Sequence, residues 1–304
     1  MHIPRHLSAG DKIAIVATGR KINPGEIDTA IATMQDWGFK VVLGKHLYAD
    51  SHSYMAGTDP ERQADMQQAL DNPEVRAIVC ARGGYGTSRI LDQLDFTAFK
   101  KDPKWVAGFS DITALHVALA NLGVASIHGI MPLLFNRKHV ASSLESLRAA
   151  LVGEPKPITA GPNSFNRAGT STAPLVGGNL SLLTDSLATR YEVDTKGKIL
   201  LIEEVDEYTY KLDRMLTQLK RAGKLTDLAG LVVGYISSTF TMEVSFTESI
   251  EEIVHDKVKG TTFPVAFGFP VGHEIPNEAF CHGASYTLTV SSNGSSLSAA
   301  SVAS

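Results

Sequence analysis

The chain has 304 residues, enough for two domains with a core each, and 43% of them are hydrophobic, which excludes a disordered or fibrous protein. A formal net charge of -4 supplies no broad basic field, so the expected partner is a small molecule, with no nucleic acid and no membrane. Two cysteines, Cys80 and Cys281, are too few for a disulfide framework or a structural zinc site, and both read as buried thiols.

The opening residues, MHIPRHLSAG, lack a basic segment followed by a long apolar core, and no apolar run reaches membrane-spanning length, so the cytoplasm is the expected compartment. An apolar, β-branched run at 11–18 reads as a strand. In the segment after it, Asn23 can cap a helix, Pro24 takes its first position and Glu26 completes a capping box. Further buried-type strands are expected at 40–47, 75–83 and 104–110, separated by helical patterns at 59–72 and 86–95. This alternation predicts an α/β fold with a doubly wound parallel sheet, in which ligands gather at the carboxyl ends of the strands. Both ARGGYG (81–86) and GFSD (108–111) fall at such ends.

Ser110 stands where the strand at 104–110 turns into a helix expected over 111–122. A corner of this kind presents one side chain above the sheet and leaves the first N–H groups of the helix unpaired, so Ser110 reads either as a nucleophile or as a helix cap. GFSDI departs from the G-x-S-x-G elbow, with Ile112 in place of the second glycine. The glycine-rich turn at 83–86 frees backbone N–H groups for an anion or an oxyanion, and otherwise reads as a tight turn; it is no phosphate loop of the G-x-x-x-x-G-K-[ST] type.

From 156 to 171 the periodicity lapses into Gly, Pro, Ser and Thr, which predicts a linker between an α/β domain at 1–155 and a mixed, β-rich domain at 172–304. The second half reads as helix at 177–189, strand at 197–205, helix at 209–223, strand at 228–236, helix at 246–260, and closing strands to 292. The Ser/Ala-rich end, 291–304, reads as a frayed terminus. Glu203 and Glu204 end the apolar strand, and alternation is expected to turn one carboxylate inward and the other to solvent, unless both simply mark a solvated edge. His273 lies in the Gly/Pro-bounded loop FGFPVGHEIPN, free to reach into a cleft or to sit on the surface. A serine nucleophile needs a base such as histidine, and the histidine an acid to hold its tautomer.

ARGGYG, GFSDITALH, HGIMP at 128–132, VGGNLSLL at 176–183, LLIEEVDEYTYKLDRMLTQLKRAG and FPVGHE, in this order over nearly the whole chain, resemble the LD-carboxypeptidase family. Its members are the cytoplasmic murein tetrapeptide carboxypeptidases and the related microcin C immunity peptidases. The resemblance implies a serine peptidase without metal or cofactor, working on a small peptide as a homodimer. It carries the catalytic serine onto Ser110, the histidine onto His273 and the glutamate onto Glu203. The oxyanion hole falls to the backbone of Gly84, with Gly83 as the neighbouring choice, and of Asp111. The substrate it implies is a recycled murein tetrapeptide that loses its terminal D-alanine; a microcin-like peptidyl or aminoacyl nucleotide is the alternative within the family.

Outside the family, two readings stand beside it: a binding protein that holds a ligand without turnover, and an amidotransferase-like enzyme with a cysteine nucleophile. Cys80 lies within an apolar strand rather than at a corner, where its thiolate would find little stabilisation.

Overall fold

The computed structural model describes residues 1–240 and 246–300. The chain forms two compact units, Met1–Pro155 with Glu278–Cys281, and Lys156–Asn277 with the residues from His282 onward.

The first unit runs β1 (Lys12–Val16), α1 (Asp28–Asp36), β2 (Lys40–Leu43), α2 (Asp59–Asp71), β3 (Val75–Cys80), α3 (Thr87–Leu91), α4 (Thr97–Lys101), β4 (Trp105–Gly108), α5 (Thr113–Asn121), β5 (Ser126–His128) and α6 (Ala141–Val152). The pairs β1–β2, β1–β3, β3–β4 and β4–β5 are parallel, giving the order β2-β1-β3-β4-β5, with a late strand joining beside β5. This is the doubly wound α/β sheet that the strand–helix alternation predicts. The order reverses between β1 and β3, and the Gly83–Gly84 turn follows β3 directly, at the switch point where such sheets open a crevice. Central strands β3 and β4 are buried on both faces, as parallel strands covered by helices must be.

Two local expectations change. Asn23 donates from its backbone and side chain to Glu26, but Gly25 at φ +89° breaks the turn, so the helix opens only at Asp28. The expected strand at 40–47 shortens to β2, a partly exposed edge strand.

The second unit runs β6 (Ile158–Ala160), β7 (Gly169–Asn179), α7 (Leu180–Asp185), β8 (Ile199–Val205), α8 (Thr209–Arg221), β9 (Gly230–Ser237), α9 (Ile250–Lys257) and β10 (Val265–Ala266). The chain then supplies β11 (Phe280–His282) to the edge of the first sheet before closing with β12 (Ser285–Ser291) and β13 (Gly294–Ala299). The second sheet has the order β10-β9-β8-β7-β12-β13-β6; β7 to β10 pair in parallel, whereas β12, β13 and β6 are antiparallel additions. Part of the stretch read as linker, 158–160, is thus a sheet strand. The terminus read as frayed forms β13, pinned on both sides and burying Ser295 and Leu297. Its Ser-rich composition hides an alternation with one buried face; its last four residues lie outside the described residues.

Candidate active site

In the first unit the chain leaves β4 at Gly108, turns through Phe109 and enters a single 3₁₀ turn, Ser110–Ile112, before α5. The expected helix over 111–122 is therefore an α-helix from Thr113 preceded by a tighter turn. Ser110 has φ +62°, a left-handed conformation that costs a non-glycine residue about 1–2 kcal/mol. A plain N-cap sits in the β region, so capping alone does not explain this geometry.

The surroundings hold the strain in place. Buried Asp111 accepts bonds at Oδ2 from the Thr87 N–H (3.0 Å) and the Thr87 hydroxyl (2.6 Å), tying the corner to the start of α3. Burial raises the Asp111 carboxyl above the usual carboxylate range, against the pull of its Thr87 and Gly86 donors. Buried His116 bonds the Gly108 carbonyl through Nε2 (2.9 Å) and Ser126 through Nδ1 (2.8 Å). Its pKa is lowered to about 4 by burial, so the ring is neutral and donates from Nε2 to fix the backbone where β4 ends.

The glycine turn comes close to the corner. A Cβ on Gly83 would stand 3.1 Å from Ser110 Cβ and 3.2 Å from Ser110 Oγ, so a side chain there would press on the serine. Gly84 has φ +101°, and a Cβ there would meet Arg20 Cβ at 2.8 Å. The first unit therefore brings Ser110, Asp111 and the 83–84 turn together.

In the second unit Glu203 and Glu204 are both buried, at 0% and 3% exposure, which corrects the expectation of one carboxylate in solvent. The reason is the position of β8 between β7 and β9, in a parallel part of the sheet with both faces covered. The two carboxylates have different partners. Glu203 Oε2 accepts from His273 Nδ1 at 2.6 Å. Glu204 accepts from Asn179 Nδ2, the Ser181 N–H and hydroxyl and the Val205 N–H, at 2.7–3.0 Å, and so anchors the first turn of α7.

The loop carrying His273 is moored to β9: the Tyr235 N–H donates to the Val271 carbonyl (2.8 Å) and the Phe269 N–H to the Val233 carbonyl (3.2 Å). The Gly272 N–H donates to Asn277 Oδ1 at 3.0 Å, closing the loop across His273. Opposite these moorings the β8–β9 register slips between Ile202 and Glu204, a bulge of the kind that re-aims side chains at strand ends. Burial disfavours the imidazolium of His273, but the Glu203 charge and hydrogen bond outweigh it, and the net pKa shift is upward.

The chemistry available is that of an oriented imidazole. With Nδ1–H given to a buried carboxylate, Nε2 is left as the basic nitrogen, as a general base requires. Cys80 is buried within β3 and its thiol is pushed up to about 12, chiefly by burial, so it carries essentially no thiolate near neutral pH. Among the described residues no cluster of three or more His, Cys, Asp or Glu side chains is placed to hold a metal ion.

Thr87, His116 and Asn277 do not stand out in the sequence. Thr87 offers one signal, as the first helical residue after the glycine turn; His116 and Asn277 sit among apolar or loop residues with no periodicity to mark them.

Residues 13–129 match the LD-carboxypeptidase N-terminal domain and residues 172–288 the LD-carboxypeptidase C-terminal domain. A probable murein peptide carboxypeptidase of Bacillus subtilis is 37% identical over 92% of this chain and 89% of its own length. The crystal structure of a muramoyltetrapeptide carboxypeptidase from Oxalobacter formigenes, 27% identical, superposes with a TM-score of 0.87 over 96% of this chain and all of that one. An MccF-like protein from Bacillus anthracis has the same fold, with a TM-score of 0.87 over 99% of this chain and 100% of that chain, at 23% identity.

Proposed function

The chain belongs to the LD-carboxypeptidase family, and from that premise we propose that it is a serine carboxypeptidase that removes the terminal D-alanine from murein tetrapeptides. The observation that carries the reading is the buried Glu203 bound to His273 at 2.6 Å, an acid–base pair that serves a nucleophile. The substrate class is supported by the names of the relatives, murein peptide and muramoyltetrapeptide carboxypeptidase.

In the proposed reaction His273 takes the proton of Ser110 as Oγ attacks the carbonyl between an L-configured centre and D-alanine. Glu203 holds the imidazole and stabilises its charged form. The N–H groups of Gly84 and Asp111 face the oxyanion, and their fixed dipoles stabilise charge without reorganising. His273 returns the proton to the leaving amine, D-alanine departs, and water hydrolyses the acyl-enzyme by the same route. The left-handed φ of Ser110 supports its assignment as nucleophile, because strain at a strand-to-helix corner persists where the fold over-determines it. The chain works in the cytoplasm as a homodimer in this reading, with peptidoglycan recycling as its setting. No helix among the described residues is long and apolar enough to cross a membrane.

Incubation with a tetrapeptide ending in D-alanine, followed by a chiral assay for free alanine, tests the proposal. Release of D-alanine, lost in Ser110→Ala, is the expected result. The peptide ending in L-alanine should react at least ~100-fold more slowly in kcat/KM, because inverting the terminal centre misplaces the scissile carbonyl by about an ångström. Equal rates on the two peptides would contradict the reading.

A further inference from the structure

Beside the nucleophile corner, on its own unit, two arginines have no assigned role. Arg20 follows Gly19 after β1, and its N–H donates to the Gly83 carbonyl at 3.0 Å. Its Cβ stands where a Gly84 side chain would begin, and its guanidinium lies over the Tyr54 ring at 5.3 Å. Arg20 and Tyr54 are held in register by a backbone bridge between Arg20 and Met55 and by the Lys21 N–H donating to the Tyr54 carbonyl, at 3.0 Å. Arg82 immediately precedes the glycine turn, half-buried, and its guanidinium donates to the Lys21 carbonyl at 3.2 Å. The Arg82 guanidinium is thus tied to the backbone at Lys21, and the Arg20 guanidinium rests on Tyr54, on segments that bracket the turn.

The carboxylate that acts on Arg82 is Glu26, which makes its hydrogen bonds to Asn23. It accepts the Asn23 N–H and amide, at 2.8 and 3.0 Å. Burial, and then the positive charge of Arg20, lower the pKa of Arg82 despite the smaller opposing pull of Glu26. Two like charges on neighbouring backbone segments, Arg20 exposed and Arg82 half-buried, favour a bound anion.

We infer that Arg20 and Arg82 form the seat for the free carboxylate at the C-terminal end of the peptide. This rests on the peptidase reading above and adds a residue-level reason for the enzyme's action at chain ends. In a terminal dipeptide the carboxylate is one residue beyond the scissile carbonyl. Gly83 lies against Ser110 and Gly84 against Arg20, so the turn that faces the reacting carbonyl carries the cations on its outer side. An endopeptidase has no use for such a pair; an enzyme that must find a chain end does. The guanidinium fork is suited to this, since it meets a carboxylate with two parallel donors.

The test compares the tetrapeptide ending in D-alanine with the same peptide ending in D-alanine amide. Wild type should prefer the free acid by about 100-fold in kcat/KM, the size of lost charge-assisted hydrogen bonds. Arg20→Gln and Arg82→Gln should each lose roughly 10-fold or more on the acid, mainly in KM, and much less on the amide. The double variant should bring the two peptides within about threefold of each other. Labelling of Ser110 by a fluorophosphonate, which carries no carboxylate, reports whether the corner is still formed. An undiminished preference for the acid in the double variant would overturn the inference and leave the function standing. Loss of labelling would overturn it too, by showing that the arginines support the turn itself. Failure of the wild type on both peptides would overturn the proposed function, and this inference with it.

Discussion

The corner after β4 and the end of β8 solve different problems with different materials. At the first, backbone sets the geometry: the left-handed Ser110, the Asp111 N–H, and a glycine turn on which an added Cβ would stand 3.2 Å from Ser110 Oγ. At the second they are side chains: a carboxylate and an imidazole, joined by one hydrogen bond and presented by a strand end and a moored loop. A backbone site is fixed in position, and its N–H groups do not themselves titrate. A side-chain site carries the charge and the proton, and so it sets the pH response.

Substitutions can break this comparison, and the largest effect belongs to the corner. Ser110→Ala should lower kcat by at least ~10,000-fold, as loss of a nucleophile does in a triad, with the thermal melting curve unchanged. Glu203→Gln comes next, at about 1,000- to 10,000-fold, because the amide leaves the imidazole tautomer and charge unsupported. Gly83→Ala should cost about 10- to 100-fold in kcat: its φ suits alanine, but the new Cβ presses on Ser110 and on Met131 Cε at 3.3 Å. Glu204→Gln sharpens the contrast. It should act chiefly on stability, by about 1–3 kcal/mol, because an NH₂ group replaces an acceptor of the α7 anchor. If Glu204→Gln abolished turnover while Glu203→Gln kept it, the assignment of the acid would be reversed. EDTA should have the smallest effect, none on kcat, since the charge stabilisation invoked comes from backbone amides and protein side chains.

The pH profile separates the two regions further. As the proposed base His273 must be neutral, and its pKa is raised from 6.5, so the acid limb of kcat/KM should have its midpoint above 6.5. Glu203→Gln should move that midpoint down. In stability the sign is opposite: the Glu203–imidazolium interaction is fully present below the ordinary histidine pKa and is lost as pH rises through the raised one. Ser110 and Gly83 should contribute no limb of their own near neutrality.

The doubly wound sheet was legible because its strands are apolar runs bounded by glycine and its helices carry the complementary period. Ser110 and the glycine turn were legible because a corner needs small or special residues at fixed places. The partners were legible only through the family resemblance. Which glutamate meets His273 depends on a bulge between β8 and β9 and on both faces of β8 being covered, neither of which leaves a period in KILLIEEV. The closing strand β13 was missed because serine and alanine at its surface outweigh the single buried Leu297 in composition. Thr87 and His116 act by hydrogen bonds to residues 24 and 8 positions away, distances at which sequence spacing alone says nothing.

The central claim is that Ser110 is the nucleophile and that His273 activates it. A fluorophosphonate probe, located by peptide mass mapping and scored against D-alanine release, tests it most directly. One equivalent of probe should attach to Ser110, with activity lost in proportion to labelling and labelling slowed by orders of magnitude in His273→Ala. Probe on another residue, or a fully labelled Ser110 with D-alanine release intact, would contradict it.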